Sequence, residues 1–140
     1  MKLTDNIYIQ ELIPKDVYLR DGNRSKNYID PRLPIILERI RLLCGNKPMT
    51  LNDWYWGGRF NLRGYRPPEC TIGASKSMHK QGKAADFTIK GMTAEQVRKV
   101  IRANAEELMA LGLTRMEKDV SWVHIDLKET ELNFIYEFKP

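Results

Sequence analysis

The chain carries two histidines in 140 residues. His79 stands in Ser77-Met78-His79-Lys80-Gln81-Gly82-Lys83-Ala84-Ala85-Asp86, and His124 in Ser121-Trp122-Val123-His124-Ile125-Asp126. A neutral imidazole is the commonest protein ligand of zinc, and a carboxylate serves well as a third ligand. Two imidazoles and one carboxylate leave the fourth tetrahedral position open to water, which separates a catalytic zinc from a structural one. The two cysteines, Cys44 and Cys70, make no disulfide framework. Cys44 reads as a small core residue late in a helix. Cys70 follows Pro67-Pro68-Glu69, and no second cysteine stands at metal-ligand spacing from it, so a ligand or nucleophile there is the minor reading.

The elements that must position these groups can be read from periodicity and caps. A short strand is expected around Ile7-Tyr8-Ile9, followed by a polar, turn-rich stretch over 14–27 with its clearest turn at Asp21-Gly22-Asn23. Asp30 before Pro31 opens a helix that places Leu33, Leu37, Ile40 and Cys44 on one face and stops at Gly45-Asn46. Residues 48–56 read as an aromatic-rich strand broken by Gly57-Gly58. A long loop over 59–78 carries Arg59, Arg63 and Arg66 to the first histidine, and a loop of that length in a compact domain points to function. Asp86 sits on a short buried strand over 84–89. Thr93-Ala94-Glu95-Gln96 is a capping box, and the helix it opens buries Val97, Val100, Ile101, Leu108 and Met109 before ending at Gly112. Residues 113–118 and 122–128 read as a hairpin turning near Asp119-Val120-Ser121. A last strand places Leu132, Phe134, Tyr136 and Phe138 on one side. The expected class is α+β over residues 1–140 as a single domain, with helices packed on one side of an antiparallel sheet.

Composition sets the outer limits. With 42% apolar and 29% charged residues, the chain reads as a soluble globular protein able to bury its own core. No apolar run approaches the roughly 20 residues of a membrane-spanning helix, so no membrane insertion is expected. The first residues lack the apolar segment of a signal peptide, so the expectation is a protein cytoplasmic as synthesised, acting elsewhere only if released. The net charge of +5 favours polyanionic surroundings such as an anionic cell wall. That charge is dispersed and not interleaved with aromatics, so no nucleic-acid partner is expected. No heptad or exposed helical stripe argues against a monomer.

The spacing Ser77-x-His79-x-x-Gly82-x-Ala84-x-Asp86, with Trp122-Val123-His124-Ile125-Asp126, resembles the M15 family of zinc peptidases, whose fold is shared with the hedgehog signalling domain. Gly64-Tyr65-Arg66-Pro67 extends the likeness upstream, and it runs from about residue 30 to 128. The resemblance implies a Zn2+ cofactor held by His79, Asp86 and His124. It also implies peptidoglycan stem peptides as substrate, as in D-alanyl-D-alanine carboxypeptidases and phage L-alanyl-D-glutamate endolysins, so a phage or prophage lysis enzyme fits. Gly82 would let the chain turn so that Asp86 reaches the same metal, and Ala84 would leave room beside it. Arg66 would stabilise a developing oxyanion or clamp a substrate carboxylate.

The family's general base commonly stands three residues before the last histidine, and this chain has Ser121 there. A hairpin centred on Asp119-Val120 would pair Glu117 with Trp122 and Arg115 with His124. Residues 115, 117, 122, 124 and 126 would then share one face, making Glu117 the replacement base and Asp119 the second candidate. Ser77 would bond near the metal or order its loop, and Asp126 would either orient His124 or face solvent. The competing reading is a catalytically impaired, zinc-containing wall-binding or phage structural module.

Overall fold

The computed structural model describes residues 1–73 and 77–140; part of the loop expected over 59–78 therefore lies outside the described residues. The helices are α1 (Lys15–Asp21), α2 (Arg32–Leu43), α3 (Ala94–Ala103) and α4 (Ala105–Leu111). The strands are β1 (Met49–Thr50), β2 (Ala84–Ile89), β3 (Arg115–Glu117), β4 (Val123–Asp126) and β5 (Tyr136–Phe138), in the sheet order β1-β2-β4-β3-β5. The class is α+β, as the alternation of patterns implies. The sheet is mixed, because β5 runs parallel to β3 while the other pairs are antiparallel.

Alternation decides which face of the sheet does what. Ala85, Phe87, Met116, Val123 and Ile125 are buried in the core, against which α2 and α3 pack. Asp86, Arg115, Glu117, His124 and Asp126 have the other parity and line an open cleft. α2 buries Leu33, Leu37, Ile40 and Cys44 as its period requires, and Gly45 and Asn46 end it in the left-handed region at φ 84° and 57°. The capping box of α3 forms in both directions: the Gln96 backbone N–H donates to Thr93 Oγ1 at 3.1 Å, and the Thr93 N–H donates to Gln96 Oε1 at 2.8 Å.

Several expectations give way where side chains capture the backbone. Ile7-Tyr8-Ile9 contributes one bridge, Lys2 with Tyr8, and then a 3₁₀ turn, Ile9–Glu11, because the Glu11 carboxylate takes the Tyr8 N–H at 2.8 Å. The stretch 14–27 is not turns alone. It holds α1 and a 3₁₀ run, Gly22–Tyr28, whose few inward residues, Val17 and Ser25 among them, hid its helical period. The strand over 48–56 shrinks to β1: Asn52 Oδ1 accepts the Arg63 N–H and Asp53 Oδ1 the Phe60 N–H, diverting the chain into a loop that includes the 3₁₀ turn Trp54–Trp56. The helix expected to run to Gly112 breaks at Asn104, whose side chain donates to the Val100 carbonyl at 2.8 Å. The last strand is short, leaving Leu132 and Phe134 exposed outside it.

The hairpin register also differs from expectation, with consequences for the cleft. Glu117 pairs with His124 and Arg115 with Asp126, two residues along from the anticipated pairing. A shift of two preserves parity, so Glu117 still shares a face with His124. Arg98 on α3, almost fully buried, donates to the carbonyls of Val120 and Trp122 and so fixes the connection between β3 and β4.

Candidate metal centre

His79 and Asp86 are brought together by the chain between them. The Ser77 hydroxyl accepts the His79 N–H at 3.2 Å and opens a 3₁₀ turn, Met78–Gln81, in which His79 is buried. Gly82 closes that turn at φ 67°, and a Cβ there would lie 1.8 Å from the Tyr28 carbonyl oxygen, so both conformation and space demand glycine. The chain then enters β2 and presents Asp86 directly across from His124 on β4.

A neighbouring segment holds both ends of this unit. The Asp86 N–H donates to the Arg63 carbonyl at 2.7 Å, and the Arg66 N–H donates to the His79 carbonyl at 3.1 Å. The Gly64 carbonyl lies 2.8 Å from His79 Nδ1. Gly64 can take that place because its α-carbon packs against the backbone of Leu12, where a Cβ would fall 2.5 Å from the carbonyl oxygen. Tyr65 stacks on Tyr28 at 5.1 Å between ring centroids.

One ligand atom from each of His79, Asp86 and His124 lies within 4.8 Å of the others. The imidazoles are set for a cation. His79 gives its Nδ1–H to the Gly64 carbonyl, leaving the Nε2 lone pair toward Asp86 Oδ1 at 3.4 Å. His124 donates its Nε2–H to Asp126 Oδ2 at 2.9 Å and, in the charged form that its two carboxylate neighbours favour, its Nδ1–H to the same Asp86 oxygen at 2.7 Å; a zinc ion would take the place of that Nδ1 proton. Such outward partners fix tautomer and ring angle in metal sites. With zinc–ligand bonds of about 2.0–2.1 Å, a tetrahedral edge is about 3.3 Å. The donor set fits a zinc ion: the 3.4 Å separation of His79 and Asp86 matches that edge, and the 2.7 Å hydrogen bond between His124 and Asp86 would open toward it once the ion replaced the proton.

The electrostatics describe a carboxylate-rich site that holds a positive charge, here the proton of His124, which a zinc ion would have to displace. Burial opposes ionisation of Asp86, yet the hydrogen bonds from His124 and His79 outweigh it and hold the carboxyl below its ordinary range. Burial likewise opposes a charged His124, but its bonds to Asp126 and Asp86 raise the imidazole to about 9. Asp126, against its own burial, is lowered to about 2 by His124 and Arg115.

The cleft above these groups has a volume of about 350 Å³. Glu117, Arg66, Ser77 and Asp126 line it together with the three candidate ligands. Arg66 Nε donates to the Leu62 carbonyl at 2.9 Å, and Nη2 lies 3.4 Å from Asp86 Oδ2. Asp126 does not face solvent: it is fully buried between His124 and Arg115. Asp119 is exposed in the turn at φ 62° and does not line the cleft. Ser121, of opposite parity to Trp122 and His124, lines a separate groove against α3. Arg63 stacks 3.6 Å from the Phe60 ring centroid, Arg59 is exposed, and Cys70 lies outside the cleft.

Sequence reasoning missed the cleft wall made by Phe138, whose ring meets His124 edge-on at 5.6 Å. The alternation of the last strand named Phe138 as facing one way with its neighbours, but nothing local told that the strand lies beside β3. The role of Trp122 as a second wall was one of several open for the three tryptophans.

A family model described as Peptidase M15 matches residues 35–126 of this 140-residue chain. No curated protein and no solved structure matches it.

Proposed function

The chain belongs to the Peptidase M15 family, and from that premise we propose that it is a zinc-dependent peptidase hydrolysing D-amino-acid-containing bonds of peptidoglycan stem peptides. The observation that carries this reading is the convergence of His79, Asp86 and His124 within 4.8 Å in a cleft that also takes in Glu117 and Arg66. A zinc ion held by His79, Asp86 and His124 would supply Lewis acidity to the scissile carbonyl and would lower the pKa of an attacking water.

The remaining steps belong to the chain's own residues. His79 and His124 hold their lone pairs toward the ion because Gly64 and Asp126 take their N–H groups. Glu117, paired with His124 across the hairpin, is the general base that takes the water proton and returns it to the leaving amine. Arg66, anchored on the Leu62 carbonyl, places its guanidinium charge where the carbonyl oxygen becomes negative. Ser77 orders the turn that carries His79. Trp122 and Phe138 flank the cleft and take the apolar parts of a bound peptide. Such a chain would act on the wall after release from the cell, the setting of a phage or prophage lysis enzyme.

The test is hydrolysis of purified stem peptides by wild type and Glu117→Gln, each with its zinc content measured. The expected outcome is zinc-dependent turnover by wild type and a loss of about 10²–10⁴-fold in Glu117→Gln with zinc retained. Undiminished hydrolysis after complete zinc removal would overturn the mechanism. A zinc-loaded but inert wild type would instead support the non-catalytic wall-binding module, which the serine at position 121 favours.

A further inference from the structure

Arg115 lies in the cleft yet takes no part in the chemistry proposed above. Its Nε and Nη2 donate to the two oxygens of Asp126 at 2.8 and 2.7 Å, a planar two-bond fork. Asp126 is fully buried, and its Oδ2, already held by Arg115, also takes the Nε2–H of His124 at 2.9 Å. The same guanidinium sits 4.5 Å from the centroid of the Phe138 ring, whose edge-on contact with His124 lies 5.6 Å away. Arg115, Asp126, His124 and Phe138 thus close a ring of contacts around one imidazole. The sheet builds it in, because Arg115 pairs with Asp126 across β3 and β4, and β5 lays Phe138 beside Glu117.

We propose that Arg115 is a positioning residue that sets how tightly the centre holds its metal, by locking the Asp126 carboxylate that fixes the tautomer and angle of His124. The inference rests on the zinc reading of the site. Its physical basis is geometric. Without Arg115 the Asp126 carboxylate keeps only the His124 N–H on Oδ2 and a long 3.3 Å bond from the Lys128 N–H on Oδ1, which resist rotation about Cβ–Cγ less than a planar fork gripping both oxygens. A lysine at 115 would keep the charge but offer neither the fork nor the flat face that lies on Phe138.

Zinc affinity by competition with a chromophoric chelator, and the rate of zinc release into excess chelator, are measured for wild type, Arg115→Lys and Arg115→Met. Arg39→Met is the control, since it removes the same charge from an ion pair with Glu107 between α2 and α4 and touches neither Asp126 nor Phe138. Circular dichroism at the assay temperature establishes that each protein is folded. Arg115→Met is expected to bind zinc about 10–100-fold more weakly and to release it correspondingly faster. Arg115→Lys should fall between that variant and wild type, and Arg39→Met should stay within about twofold of wild type. If Arg115→Met does not fold, Arg115→Lys decides, with roughly threefold or greater weakening expected. Folded Arg115 variants within about twofold of a zinc-binding wild type overturn this proposal alone. A wild type that binds no zinc overturns the zinc reading and this proposal together.

Discussion

Arg66 is held at two points, the Leu62 carbonyl and the carboxylate of Asp86, so its guanidinium is fixed at the cleft before any substrate arrives. A fixed donor is worth most to charge that develops only in the transition state. Arg66→Ala is therefore expected to lower kcat by about 10²–10³-fold with KM nearly unchanged. A rise in KM with kcat intact would instead assign Arg66 to holding a substrate carboxylate. At this scale, the sequence made much of the site legible: the spacing of His79, Asp86 and His124, and the arginine of the Gly64-Tyr65-Arg66 turn, name residues that the structure gathers in one cleft. Asp119 was named as well, but its exposed left-handed turn position removes it from the site. The fork between Arg115 and Asp126 was not legible, since it depends on a hairpin register that only the packed sheet determines.

The helix α3 does more than cover the sheet. Glu95 bonds both Arg98 and Arg102, Arg98 reaches the carbonyls of Val120 and Trp122, and Arg102 reaches Glu137 next to Phe138. One polar ladder along a helix thus holds the Trp122 backbone directly and the strand carrying Phe138 through the Glu137 side chain. Arg98→Met is expected to leave zinc content unchanged and raise KM severalfold as the connection carrying Trp122 loosens. Stronger acrylamide quenching of tryptophan emission, absent when Trp122→Phe is combined with it, would locate the change. Unaltered KM and quenching would show that the connection holds its shape without Arg98. The capping box that starts α3 was readable because its signal is local: four residues and two hydrogen bonds. Where Asn52, Asp53 and Asn104 bind backbone groups, the outcome turned on partners that periodicity does not reveal.

Taken as a whole, the molecule follows the α+β plan implied by its alternating patterns, with the parallel placement of β5 the feature that local signals could not supply. Its stability should also carry a pH dependence remote from the cleft. Burial pushes Glu11 from the ordinary 4.5 up to about 7, although the Tyr8 N–H and the charge of Arg41 pull the other way. Because the folded state resists ionising this acid more than the unfolded chain does, stability falls as pH rises from about 4.5 to about 7 and levels off above. Glu11→Gln lacks that loss, so its denaturation midpoint should gain on wild type across the same interval. Parallel profiles for the two proteins would contradict this origin. Among the described residues, no helix is long and apolar enough to cross a membrane. Glu117 and His124 face each other across the β3–β4 ribbon, while the connection between the strands stands outside their pairing. The face that Glu117 takes follows from the alternation of β3 itself, so the connection can change length without turning the acid away, whereas a one-residue slip of β3 against β4 would turn it toward the core. In the proposed mechanism the base is thus defined by its place in space and not by its distance along the chain, and counting three residues back from His124 meets Ser121 instead of the acid across the ribbon.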